Sequence, residues 1–132
     1  MIRKYKKTVI GLVAFVVVTF FAAASADSGV KFDKTKFLQA QKEGKTILVA
    51  VHADWCPTCK KQGPIIEKLS KESAYKKVMF FVVNFDKDWK AVNMFKVSHQ
   101  STLIVFSGTK ERGRSVGQTD PEKIKELLDQ GK

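Results

Sequence analysis

The chain has 132 residues, 24 Lys plus Arg against 13 Asp plus Glu, and two cysteines. That length suits one domain, and 44% hydrophobic with 28% charged residues is the composition of a folded, globular chain. Two cysteines exclude a multi-bridge secreted scaffold and a four-thiolate zinc site, and the length excludes a separate cofactor-binding domain.

Residues 1–26 are expected to be a secretory signal. They carry Arg3, Lys4, Lys6 and Lys7 and no acid, then an uncharged, mostly apolar run over 8–24, then Ala24-Ser25-Ala26. A positive start, an apolar middle and a small-residue ending are what a signal peptidase reads. The apolar run is also just long enough to anchor the chain in a membrane, but its ending favours cleavage, with Asp27 as the mature start. The domain is then 27–132, with 20 basic side chains against 13 acidic ones. The lysines are scattered rather than grouped into a stripe with aromatics between them, which argues against nucleic acid as a partner. Solubility and weak attraction to an anionic membrane surface account for the charge. Export places the cysteines where a disulfide persists.

In chain order, residues 30–44 read as a short lead-in and a helix with Phe37, Leu38 and Gln41 near helical spacing and Gly44 as its stop. The apolar, β-branched run over 46–53 predicts a buried strand. Residues 57–73 are helical in pattern, with Ile65, Ile66 and Leu69 on one face and Pro64 as a kink. A second buried strand follows over 78–85. Asp88 is placed to cap a short helix through Phe95, with Trp89 and Val92 facing inward. Strands over 102–106 and 112–117 flank Gly108 as a hairpin. Asp120-Pro121 begins a last helix whose inner stripe is Ile124, Leu127 and Leu128. This order predicts an α/β fold with a mixed central sheet and helices on both faces. Nothing in it suggests a dimer interface, and a monomer is expected.

The chemistry sits in Trp55-Cys56-Pro57-Thr58-Cys59-Lys60, at the junction of the first strong strand and the second helix. Cys56 falls at the N-cap and Pro57 at the first helical position, where a missing N–H costs nothing. The N–H groups of Thr58 and Cys59, the helix dipole, Lys60 and Lys61 all favour a thiolate on Cys56, and Asp54 opposes them. Cys59, one turn on, is expected to be the more buried. Cys56 is the attacking thiol and Cys59 the resolving thiol of a redox-active disulfide. A lone C-x-x-C also suits metal or an inert bridge. The strand-to-helix junction and export favour redox, and a bridge closing so small a loop adds little stability. No cofactor is called for.

The segment resembles the active site of the thioredoxin family, through Ala53-Asp54-Trp55-Cys56 followed by Cys59-Lys60. Pro64, Asn84, Asp86, the run from Ser101 to Phe106 with Gly108, and Gly117 are similar to further landmarks of the family, so the resemblance spans nearly all of 27–132. The W-C-P-T-C form is similar to that of exported, membrane-tethered thioredoxin-like reductants. The resemblance implies a thioredoxin-like fold and a periplasmic thiol–disulfide oxidoreductase. It also implies reduction of protein disulfides with electrons from a membrane thiol donor, and Gln100, Ser101 and Thr102 flanking the dithiol. Trp55 reads as a lid over the disulfide or a contact surface.

Three departures from the family pattern stand out. Ala50 stands where the family has a buried acid, and Val82 where its lysine partner would face it, so the proton acceptor for Cys59 is unassigned. Ser101 replaces the cis-proline beside the disulfide, and a trans bond is expected there because cis before serine costs roughly 2.5–4 kcal/mol. His52 replaces an aromatic residue, and His99 lies in the loop before Ser101. Both are read as polar strand-end residues. The alternative is a metal-binding or metallochaperone module built from Cys56, Cys59, His52 and His99, a donor set suited to zinc or copper(I).

Overall fold

A computed structural model describes residues 29–132. The predicted signal over 1–26 lies outside the described residues. The elements are β1 (Val30–Lys31), α1 (Lys34–Lys42), β2 (Thr46–His52), α2 (Pro57–Lys71), β3 (Met79–Asn84), α3 (Trp89–Met94), β4 (Thr102–Ser107), β5 (Lys110–Val116) and α4 (Pro121–Asp129), with a 3-10 turn at Ser73–Tyr75.

The five strands form one sheet in the order β1-β3-β2-β4-β5. β3 pairs in parallel with both β1 and β2, and β4 runs antiparallel to β2 and β5. The predicted mixed sheet with helices on both faces is the architecture found. The lead-in proves to be a strand, because Val30 and Lys31 pair with Phe81 and Val82 at the sheet edge. The final hairpin is longer than predicted, since β5 begins at Lys110 and a register shift at Val105/Phe106 absorbs the offset.

Alternation along the strands divides the core. Ile47, Val49, Val51, Phe81 and Val83 face α1 and α3, where Phe37, Phe95 and Phe106 pack edge to face. Leu48, Ala50, Phe80, Leu103 and Val105 face α2 and α4 through Ile66, Leu69, Ile124 and Leu128. In α1 the buried pair is Phe37 and Ala40, with Leu38 exposed. One inward assignment is corrected, in α3: Trp89 is 62% exposed, because Ala91 and Phe95 fill that position in the core and Trp89 sits where the chain enters the helix. Val92 is half-buried against the first cluster, as predicted.

Pro64 lies inside α2 without ending it. Asp88 occupies the N-cap of α3, but its carboxylate makes no cap bond there and accepts the Asn84 N–H at 2.9 Å instead.

Candidate active site

The site lies at the C-terminal end of β2, where the strand hands over to α2. Cys56 is the N-cap and Pro57 the first residue of the helix. The Cys56 sulfur accepts the Cys59 N–H at 3.1 Å, a cap bond that a sulfur makes in place of the usual oxygen. Of the two N–H groups expected there, this is the one that bonds. The helix start turns its positive end toward the same sulfur.

Both cysteines are free thiols and both are buried, Cys56 at 1% and Cys59 at 2% exposure. The expectation that Cys59 would be the more buried is therefore corrected: Ala53 and Phe85 close over Cys56 as well. Burial pushes the Cys59 thiol up to about 11, with Cys56 reinforcing the rise and the backbones of Ala53 and Ser101 partly offsetting it. The Cys59 sulfur lies 3.9 Å from the Val51 carbonyl oxygen.

Around the pair, Trp55 is 58% exposed, and its indole N–H donates to Asp86 at 2.9 Å. Pro57 and Lys60 are exposed and Thr58 half-buried. Ser101 is buried beside the dithiol in the left-handed region, at φ 57°, and none of the described peptide bonds is cis. Its N–H donates to Val51 at 2.8 Å, which ties the loop to β2. Gln100 is half-buried, and the buried Thr102 hydroxyl donates to the His99 carbonyl at 2.6 Å. Ala50 pairs with Val82 across β2 and β3, so the two positions that depart from the family pattern are neighbours.

His52 is half-buried, with its Nε2 3.4 Å from an Asp54 carboxylate oxygen. His99 is exposed. Among the described residues no three His, Cys, Asp or Glu side chains gather as metal ligands, so the alternative donor set of Cys56, Cys59, His52 and His99 is not assembled.

The sequence reading passed over Gln62. It is buried in α2, three residues after Cys59, and its Nε2 donates to the carbonyls of Ser101 at 3.1 Å and Gln118 at 2.8 Å. The signal was present: Cys59, Gln62, Ile66 and Leu69 form the buried stripe of the helix, with one polar member.

A buried dithiol at a helix N-terminus, at the carboxyl edge of a mixed α/β sheet, defines a thiol–disulfide exchange protein on a thioredoxin-like fold. The Thioredoxin family model matches residues 28–130. The thioredoxin of Chlamydia muridarum is 35% identical over 82 residues, 62% of this chain and 78% of its own. Thioredoxin-1 of Saccharomyces cerevisiae is 31% identical over 94 residues, 71% of this chain and 88% of its own. Among solved structures, Trxlp from Edwardsiella tarda matches with 40% identity and a TM-score of 0.73, covering 76% of this chain and 98% of that one. The chain belongs to the thioredoxin family, and it is a thioredoxin-type thiol–disulfide oxidoreductase.

Proposed function

We propose that the protein works after export, as a reductant of protein disulfides. The Cys56 thiolate attacks a substrate disulfide to form a mixed disulfide, and Cys59 resolves it, leaving a Cys56–Cys59 disulfide. The observation that carries this division of labour is the Cys59 N–H on the Cys56 sulfur at 3.1 Å. It favours charge on Cys56, while burial holds Cys59 protonated. Electrons return from a membrane thiol donor. The charged start, the apolar run and the Ala24-Ser25-Ala26 ending support export, with cleavage before Asp27 and the periplasm as destination. Lys34, Lys87 and Lys90 around the exposed Trp89 support weak contact of a monomer with an anionic membrane surface.

The reduction potential tests the reading. A reversible two-electron couple at about −240 mV or below marks a reductant, and one near about −120 mV marks an oxidant and overturns that direction. Cys56→Ser should abolish exchange. The protein recovered from the export compartment should begin at Asp27.

A further inference from the structure

Resolution needs a base for Cys59, and among the described residues none that lines the cavity beside it is an acid. Leu48 and Ala50 of β2 face α2, and residues two apart share a face of a strand, so His52 points to the α2 side as well. Val82, opposite Ala50, adds nothing titratable. Between this face and α2 lies a cavity of about 10 Å³, lined among others by Ala50, His52, Cys59, Gln62 and Val82. That is room for about one water, which needs polar neighbours to be held. Cys59, Gln62 and His52 provide them.

We propose that His52 is the proton acceptor for the resolving thiol Cys59, through a single water in this cavity. The inference rests on the exchange reading above. As Cys59 reacts, its S–H proton passes to the imidazole and its sulfur attacks the Cys56 sulfur. The bond from Cys56 to the substrate breaks, the Cys56–Cys59 bond forms, and the electron pair leaves on the substrate thiolate. The proton on His52 then returns to that thiolate or to solvent. Over the cycle the two cysteines lose two electrons and the substrate disulfide gains them.

On its outer side His52 borders a second cavity, of about 280 Å³, where the charged groups facing it are Lys31 of β1, Asp54, Lys87 and Asp88. From α2 it faces Cys59 across the small cavity. Asp54, 3.4 Å from Nε2, orients the ring. A neutral imidazole that turns its Nε2–H to that carboxylate keeps Nδ1 as the basic atom. Burial, which holds the Cys59 proton up to about 11, is why resolution near neutral pH depends on an acceptor at all. Imidazole is the side chain most often used to take and return a proton in this way.

The test is stopped-flow reaction of the reduced protein with the aromatic disulfide dithiobis(nitrobenzoate). One coloured thiolate is released when Cys56 attacks and a second when Cys59 resolves. The second phase of the unsubstituted protein should already be fast near neutral pH, well below the range in which the Cys59 thiol itself ionises. His52→Gln, polar but unable to take a proton, should slow that phase at least about tenfold near neutral pH and move its rise to alkaline pH, leaving the first phase unchanged. Free imidazole should restore the second phase of His52→Ala. If His52→Ala does not fold, the pH profile of His52→Gln decides alone. A normal second phase with an unaltered pH profile in His52→Gln overturns the assignment. Absence of both phases in the unsubstituted protein overturns the exchange reading, and the assignment with it.

Discussion

Gln62 shows how a single residue holds the loop beside the dithiol. Ser101 sits at φ 57°, a conformation that costs a residue with a Cβ roughly 1–2 kcal/mol. It is kept there by three hydrogen bonds: its N–H to Val51, its carbonyl from Gly117, and its carbonyl from Gln62. Gln62→Leu preserves bulk but removes the donor to both Ser101 and Gln118. The Ser101 carbonyl keeps the Gly117 N–H and the Gln118 carbonyl is only part-buried, so each lost hydrogen bond costs about 0.5–1.5 kcal/mol. Urea unfolding of the reduced protein should show a loss of that size. Because the loop lies beside the sulfurs, KM for a protein disulfide should rise while the rate with a small aromatic disulfide changes little. An equal loss on both substrates would mean that Gln62 serves the cysteines themselves. Cys56 was legible in the sequence because a cap, a proline and a second cysteine are local features. The partners of Gln62 were not, since its acceptors are backbone carbonyls 39 and 56 residues away. His52 was visible as a residue, but what it borders depends on how β2 lies against α2.

Among the elements, α3 is the shortest α-helix of the described residues and the most open to improvement. It ends in a Schellman motif: Val97 N–H donates to the Val92 carbonyl at 3.0 Å and Lys96 N–H to that of Asn93 at 3.1 Å. Lys96 takes the left-handed position, φ 53°, where glycine is the usual occupant. Its side chain is exposed and makes no ion pair among the described residues, so Lys96→Gly gives up little. The relieved strain exceeds the greater freedom glycine has when unfolded. Stability should rise by about 0.5–1 kcal/mol, read as a higher Tm by a few degrees. An unchanged or lower Tm would show that the loop relaxes without help. The end of this helix was predicted at Phe95 from its apolar spacing, without a glycine to mark it. Its inner face was misjudged because two hydrophobic candidates, Trp89 and Ala91, compete in the first turn, and only the packing of Phe37 and Phe95 decides between them. β2 and β3 were readable throughout because both faces of each strand are covered, which leaves an unbroken apolar run. β1 is two residues long and has no pattern of its own.

Across the whole molecule, two buried acids of high pKa lie in different parts of the fold and act on stability in the same direction. Cys59, at the β2–α2 junction, is held up to about 11 from 9.0. Tyr75, fully buried after α2, is pushed far above the usual phenol range by burial and by Asp129, whose carboxylate accepts its hydroxyl at 2.8 Å. Asp129 also pairs with Lys132 at 2.7 Å, and that ammonium lies 4.3 Å from the centre of the Tyr75 ring, so the C-terminus is tied to the turn at Ser73–Tyr75. A group whose pKa is raised on folding keeps its proton longer in the native state than in the unfolded one. Between the two values the native state binds more protons, and stability falls as pH rises. For Cys59 the contribution is complete below about pH 9 and is lost toward pH 11. For Tyr75 the loss begins near pH 10, where the unfolded phenol ionises. Unfolding of the reduced protein by urea should therefore give a midpoint that drops between about pH 8 and 10.5. Cys59→Ser should flatten the earlier part of that drop and Tyr75→Phe the later part. The disulfide form, which has no Cys59 proton to lose, should behave like Cys59→Ser, so raising the pH narrows the stability advantage of the reduced protein or widens its deficit. If the two redox forms lose stability in parallel over this range, burial is not what holds the proton on Cys59.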